Sequence, residues 1–268
     1  MKKKQRYVFI MVLALLAGVC AGFGIQHLMR EKNAGKEYEE LLESVTVEPE
    51  ETEEPEETGE PEEELAEEEA PEEKIEIPID FDALKEQNED VYAWIRIPGT
   101  NVDYPILQDE EDNGYYLSHT IDGEEKIEGS IYTEDYNSKE FDDPNTVIYG
   151  HNMKNGSMFR TLHNYEDKAF FDENREVYIY LPDRILEYHI FAAYVYDNRH
   201  LLLNYDLEDP LVFQQYLDEI FAIRDMNAHI DSTMEVENND RILTLSTCNA
   251  GIKTQRYLVQ AVLISIKN

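Results

Sequence analysis

The chain has 268 residues and a formal net charge of −36, and the acid is concentrated: residues 47–73 hold sixteen glutamates and no basic residue, leaving the rest at about −20. Binding a phosphate backbone needs clustered Lys and Arg, and the only such cluster is Lys2, Lys3, Lys4 and Arg6 at the extreme N-terminus, which excludes nucleic acid as a partner of the main body.

After those basic residues comes an apolar run over residues 7–25. In a helix rising about 1.5 Å per residue it reaches about 28 Å, enough to cross a bilayer core. The small residues Ala17, Gly18, Ala21 and Gly22 lie inside the run rather than after it, which predicts an uncleaved anchor instead of a removed signal peptide. Val19 before Cys20 argues against a lipoprotein site. Residues 1–30 are therefore expected to form a cytoplasmic basic stub and a single membrane span, with everything beyond them outside the cell. Residues 31–74 have almost no apolar periodicity, and "EPEETEEPEETGEPEEE" repeats itself within them. Such like-charged, Pro-interrupted composition predicts a disordered, self-repelling spacer.

The folded domain is expected over residues 75–268. Asp80 stands as an N-cap ahead of Phe81, Leu84, Val91 and Trp94 at helical spacings, predicting one or two short helices at the start. "WIRIPGTNVDYPIL" reads as two strands about a Pro98-Gly99 turn, "GSIYTED" as a third and "NTVIYG" as a short buried fourth. Residues 158–175 read as helical. "EVYIYLPD" and "RILEYHIFAAYVYD" are strands joined near Pro182-Asp183, the second with Leu186, Tyr188, Ile190, Ala192 and Tyr194 alternating onto one face. Asp209 as N-cap and Pro210 at the first helical position open an amphipathic helix with Val212, Phe213, Tyr216, Leu217, Ile220 and Phe221 on its apolar face. "RILTLST" and "RYLVQAVLISI" are the last strands. Many short strands with scattered helices favour a mainly β, closed barrel; periodicity alone also allows a sandwich.

The two cysteines are Cys20, within the predicted span, and Cys248, so the exported part can form no internal disulfide. Cys248 sits where one strand stops, and a thiol becomes a nucleophile when a base or cation stands beside it. Of the seven histidines, which include His119, His27 ends the span. His163, His189, His200 and His229 read as surface or packing residues. His151 differs, because it directly follows the buried strand "NTVIYG". Arg256 opens the strand after the Cys248 loop and could donate hydrogen bonds to a developing oxyanion. A buried, inert Cys248 in a non-catalytic binding barrel, and a secreted cysteine peptidase, are the competing readings.

"TLSTC" followed by Arg256 resembles the signature of the sortases, the membrane-anchored cysteine transpeptidases of Gram-positive surfaces. "VIYGHNMKNGSMFRTLHNYEDKAFFDENREVYIY", "WIRIPGTNVDYPILQ" and "DNGYYL" are similar to the class B branch. The resemblance implies a closed eight-stranded sortase-type β-barrel with N-terminal helices and a helical insertion before the penultimate strand. It implies that Cys248 attacks a Thr carbonyl in a C-terminal sorting motif and that His151 protonates the leaving amine. Arg256 and a backbone N–H near Asn249 would hold the oxyanion, and a peptidoglycan-precursor amine would resolve the thioacyl-enzyme. A pilin-polymerising sortase, with a lysine as the accepting amine, is the alternative. Ser246 and Thr247 are expected to line the sorting-signal groove, Asn113 to orient His151, and the insertion near residues 202–223 to form a groove wall. No cofactor or metal is implied. The expected partners are surface proteins with a sorting signal, the lipid-linked peptidoglycan precursor and the membrane. The interval from Cys248 to Arg256 is short for the branch, which puts the aim of Arg256 in question.

Overall fold

Asp80 caps the first helix of the barrel domain, α1 (Phe81–Gln87), by accepting from the Ala83 N–H, and Phe81 and Leu84 turn inward from it. The computed structural model describes residues 38–47, 75–249 and 251–268. Strands β1 (Val91–Arg96) and β2 (Asp103–Leu107) pair antiparallel across the Pro98-Gly99 turn. Gly99 has φ +80°, and a Cβ there would lie 2.1 Å from Asn174 Oδ1, so any other residue in the turn would be strained and would displace the Asn174 side chain. Strand β3 (Ile131–Tyr132) lies parallel to β2 and antiparallel to β4 (Asn145–Tyr149).

The segment predicted as helical over residues 158–175 divides into a 3₁₀ helix (Phe159–Glu166) and α2 (Lys168–Glu173), the latter capped by Asp167. Strands β5 (Glu176–Tyr180) and β6 (Ile185–Asp197) follow, then the insertion with α3 (Leu201–Asn204) and α4 (Pro210–Phe221). Short β7 (His229–Ile230), β8 (Ile242–Cys248) and β9 (Gln255–Lys267) complete the chain. The strand order β5-β1-β2-β3-β4-β8-β9-β6, with β5 paired to β6, closes eight strands into a mixed barrel, and β7 attaches to β6 outside the ring. Closure leaves no edge in the ring and decides between barrel and sandwich.

Trp94, Leu84, Phe159 and Tyr188 belong to the core inside the barrel. A second core lies between the outer face of β6, β8 and β9 and helix α4, whose Phe213, Tyr216, Leu217 and Ile220 are buried as the helical spacing predicts. Strand β6 serves both cores, and here the expected single alternation fails. The register shifts between Ile190 and Ala192, so Leu186, Tyr188, Ile190 and Ala193 face the barrel interior while Phe191, Ala192 and Tyr194 face α4. Buried Gln260 ties the second core together: it accepts from Tyr194 Oη at 3.0 Å and donates to Tyr216 Oη at 2.6 Å and Thr244 Oγ1 at 2.8 Å. Thr244 in turn donates to Asn145 Oδ1 at 2.8 Å, so one polar chain pins β9, β8 and β4 in register.

The spacer expected over residues 31–74 is corrected at its start. Residues 38–45 are helical, and Tyr38, Leu41 and Val45 are buried in the main core. Tyr38 packs edge-on to Tyr104 and donates to the Gly129 carbonyl at 3.1 Å. Thr46 bridges Ile79, and the Val47 N–H reaches the Pro78 carbonyl at 3.2 Å, so the chain leaves and rejoins the domain at adjacent points. The acidic stretch between these points therefore does not add its length to the distance between the barrel and the residues before 38. Short apolar content diluted by glutamate hid this helix: three side chains at spacings of three and four suffice once a core receives them. Residues 7–25 and 48–74 lie outside the described residues, and among the described ones no helix is long and apolar enough to cross a membrane.

Deleting residues 38–47 from the full chain is expected to cost about 3 kcal/mol or more, because burying each such side chain contributes about 1.5–3 kcal/mol. Urea denaturation measures it; an unchanged midpoint would show that the helix does not dock in solution.

Candidate active site

The site arises from the register of three strands. Strand β4 runs parallel to β8 with Tyr149 opposite Ser246, and the Gly150 N–H continues the ladder to the Ser246 carbonyl at 3.1 Å. Counting two residues further along each chain brings His151 and Cys248 to the same rim, on the face shared by Tyr149 and Ser246. Gly150 is required at this exit, since a Cβ there would stand 2.5 Å from Ile131 Cδ1 and 2.7 Å from the Phe159 ring. On the other side, Cys248 lies directly opposite Arg256 of β9. The Asn249 N–H to Gln255 carbonyl bond beyond them makes this a non-hydrogen-bonded pair, the kind whose side chains approach most closely.

His151, Cys248, Arg256 and Ser246 thus line one cleft of about 240 Å³, floored by Tyr132, Tyr149 and Leu258. Cys248 is a free, exposed thiol. A ring nitrogen of His151, Nε2, lies 2.7 Å from the Leu117 carbonyl. A carbonyl only accepts, so Nε2 carries the hydrogen and Nδ1 is the nitrogen left to exchange a proton with a bound group. Burial, followed by Glu134, pushes the Tyr132 and Tyr149 hydroxyls far above the usual tyrosine range, and Arg256 opposes that shift at both rings. The floor is therefore uncharged, with the Arg256 cation within electrostatic reach of it. A thiol, a base and a cation around one cleft can carry out nucleophilic acyl transfer.

Several expected residues are placed differently. Thr247 is not one of these: it borders the cleft beside Ser246 and Cys248, with its hydroxyl buried and without a hydrogen-bond partner. Asn113 does not reach His151: its amide donates to Asp135 Oδ1 at 2.5 Å and its carbonyl accepts from the Asp135 N–H at 2.6 Å. The Leu117 carbonyl has the orienting role instead, and a backbone acceptor leaves no residue-type signal. Asn249 is not among the residues around the cleft; its N–H goes to the Gln255 carbonyl at 3.3 Å, and its amide to Gln255 Oε1 at 2.9 Å. Arg256 Nη1 faces the carbonyls of Lys253 and Gln255 at 3.4 and 3.1 Å, so the short loop holds the guanidinium against its own backbone.

The insertion contributes to the wall through residues 198–201 rather than through α4, which packs on the second core. His200, read from sequence as surface or packing, fixes this wall. Its Nδ1 accepts from the Leu203 N–H at 3.3 Å, capping α3, so its Nε2–H donates to Glu134 at 2.6 Å beside β3. Among the described residues no group of side chains forms a metal site.

The fold and the cleft have known counterparts. The Sortase domain family matches residues 95–264. Sortase B of Listeria monocytogenes is 35% identical over 184 residues, covering 68% of this chain and 73% of that protein. Sortase B of Staphylococcus aureus is 29% identical over 188 residues, covering 69% and 75%. Among solved structures, a mutant form of Clostridium perfringens sortase B superposes with TM-score 0.63 at 31% identity, covering 69% of this chain and 86% of that one. The S. aureus sortase B–substrate complex gives 0.60 at 30% identity, covering 69% and 84%. The chain belongs to the sortase family, in its class B branch, and is a cysteine transpeptidase.

His200→Ala removes both the α3 cap and the bond to Glu134, and is expected to cost about 1–3 kcal/mol in urea denaturation. Alkylation of Cys248 by iodoacetamide should stay within about twofold of wild type. A large loss of alkylation would mean that the wall also sets the position of the thiol.

Proposed function

We propose that this chain is anchored in the cell membrane by residues 7–25, with its barrel outside, and attaches surface proteins to the cell wall. Cys248 attacks the carbonyl of a Thr in the C-terminal sorting motif of a surface protein. His151 Nδ1 takes the thiol proton and delivers it to the departing amine, leaving a thioacyl-enzyme. An amine of the lipid-linked peptidoglycan precursor then attacks this thioester, with His151 as base, and Cys248 departs as the thiol. Arg256 donates to the tetrahedral oxyanion in both halves of the reaction, which requires its guanidinium to leave the Gln255 carbonyl. The cleft between Ser246, Tyr149 and residues 198–201 receives the motif.

One observation carries the reading: the β4, β8 and β9 registers bring His151, Cys248 and Arg256 to one cleft. The S. aureus relative was solved as a sortase B–substrate complex, which supports a substrate-binding role for this fold. The Nε2–H bond from His151 to Leu117 leaves the other nitrogen for the proton transfers.

The test is a peptide-library cleavage screen with the full chain in detergent, read by mass spectrometry of the adduct on Cys248. Wild type is expected to give a thioacyl on Cys248 ending in Thr. Cys248→Ala should give none, and His151→Ala should form it at least about a hundredfold more slowly. Adding a peptidoglycan-stem amine should convert hydrolysis into transfer. Wild-type cleavage that persists in Cys248→Ala would exclude this chemistry, and transfer only to a pilin lysine would reassign the acceptor.

A further inference from the structure

The Cys248 main-chain carbonyl sits at the end of β8, past the last bond that β4 supplies to that strand. Continuing the parallel ladder from Gly150 to the next acceptor position calls for a donor from residue 152. The side chain of Asn152 provides it: its Nδ2 donates to the Cys248 carbonyl at 2.8 Å. His163 reaches the same oxygen through Nε2 at 3.1 Å, and Nε2 also lies 2.8 Å from Asn152 Nδ2. One carbonyl, that of the nucleophile, is therefore approached by two side chains from a different part of the barrel.

Each of these side chains is itself held. Arg160 Nη1 lies 3.4 Å from Asn152 Oδ1, which keeps the amide with its Nδ2 toward Cys248. The Asn152 backbone bridges Met158, and the neighbouring His151 carbonyl accepts from the Phe159 N–H at 2.9 Å. The His163 side chain is only 8% exposed. Its ring stacks on Tyr257 at 4.8 Å and 23°, and its Nδ1 lies 2.7 Å from the Glu166 carboxylate. The carboxylate accepts, so Nδ1 carries a hydrogen. In the neutral ring Nε2 then accepts from Asn152, and in the charged ring it donates to Cys248. The carbonyl keeps the Asn152 donor in both states.

We propose that Asn152 and His163 are positioning residues that aim Cys248: Asn152 clamps its carbonyl, and His163 holds the Asn152 amide or, when charged, the carbonyl itself. The peptide unit is planar, so fixing the Cys248 C=O also fixes the Asn249 N–H that points the opposite way toward β9. With both ends of that unit held, the Cys248 backbone is set between His151 and Arg256 at a point where the ladder would otherwise fray. The clamp rests on the reading of Cys248 as the nucleophile, and it adds to that reading two residues that touch no reacting atom.

Asn152→Leu keeps the approximate shape of the side chain and removes the donor without adding charge. His163→Gln keeps a donor in place of Nε2, and His163→Leu does not. Two readouts are taken on the full chain in detergent: the rate of Cys248 alkylation by iodoacetamide, and kcat and KM on a peptide from the library screen. Displacing a reacting group by about 1 Å can cost on the order of a hundredfold. Asn152→Leu is expected to slow alkylation several-fold and lower kcat by about tenfold to a hundredfold, with KM within about twofold. His163→Gln should recover most of the kcat lost in His163→Leu, and melting temperatures should remain within a few degrees of wild type.

Wild-type alkylation and kcat in Asn152→Leu would overturn the clamp. If that variant fails to fold, equal losses in His163→Gln and His163→Leu overturn it instead. A wild-type protein that is alkylated but cleaves no peptide would count against the proposed function alone; the alkylation series would still decide the clamp.

Discussion

The parallel pairing of β4 with β8 is the constraint on which the rest of the site depends. Because strand side chains alternate with period two, a slip of one residue in that register would turn either His151 or Cys248 to the other face. The register is not left to the ladder alone. Gln260, Thr244 and Asn145 link β9, β8 and β4 through buried hydrogen bonds, and leaving any of these polar groups unpaired in the interior would cost more than the bond itself contributes. Closure through β5 and β6 then removes the freedom of the sheet to slide.

At the rim the ladder ends, and side chains take over its function. Gly150 lets β4 leave the sheet past Phe159 and Ile131, the Leu117 carbonyl orients His151, and Asn152 with His163 takes the Cys248 carbonyl. The 3₁₀ helix that supplies His163 also packs against the core, so the aim of the nucleophile is tied to the interior of the barrel. On the far side the insertion is fastened by His200 to Glu134, which gives the cleft a wall built from both halves of the chain.

Much of this was legible in the sequence, for identifiable reasons. Strand-length apolar runs, the Pro98-Gly99 turn and the Asp209-Pro210 helix start are local signals and appear where expected. Cys248, His151 and Arg256 stand at strand ends, where chemistry is commonly placed, and family resemblance joined them into one site. What escaped was non-local. The bulge in β6 depends on the strand serving two cores at once, and no pattern within it announces the switch of face. The docked helix at residues 38–45 was masked by its acidic surroundings. The sequence points Asn113 to His151, whereas its partner is Asp135, and His163 and His200 read as surface or packing residues because their partners are a backbone carbonyl and a distant carboxylate.

The central claim is that the strand register makes His151, Cys248 and Arg256 one acyl-transfer unit. It is tested most directly by the rate of thioacyl formation on Cys248, followed by mass spectrometry, in His151→Ala, Arg256→Ala and the double variant. Residues that act as a unit show losses that do not add, so the double variant should be little slower than the worse single one. Losses that multiply across the double variant would mean that the two residues act independently, and would contradict the account.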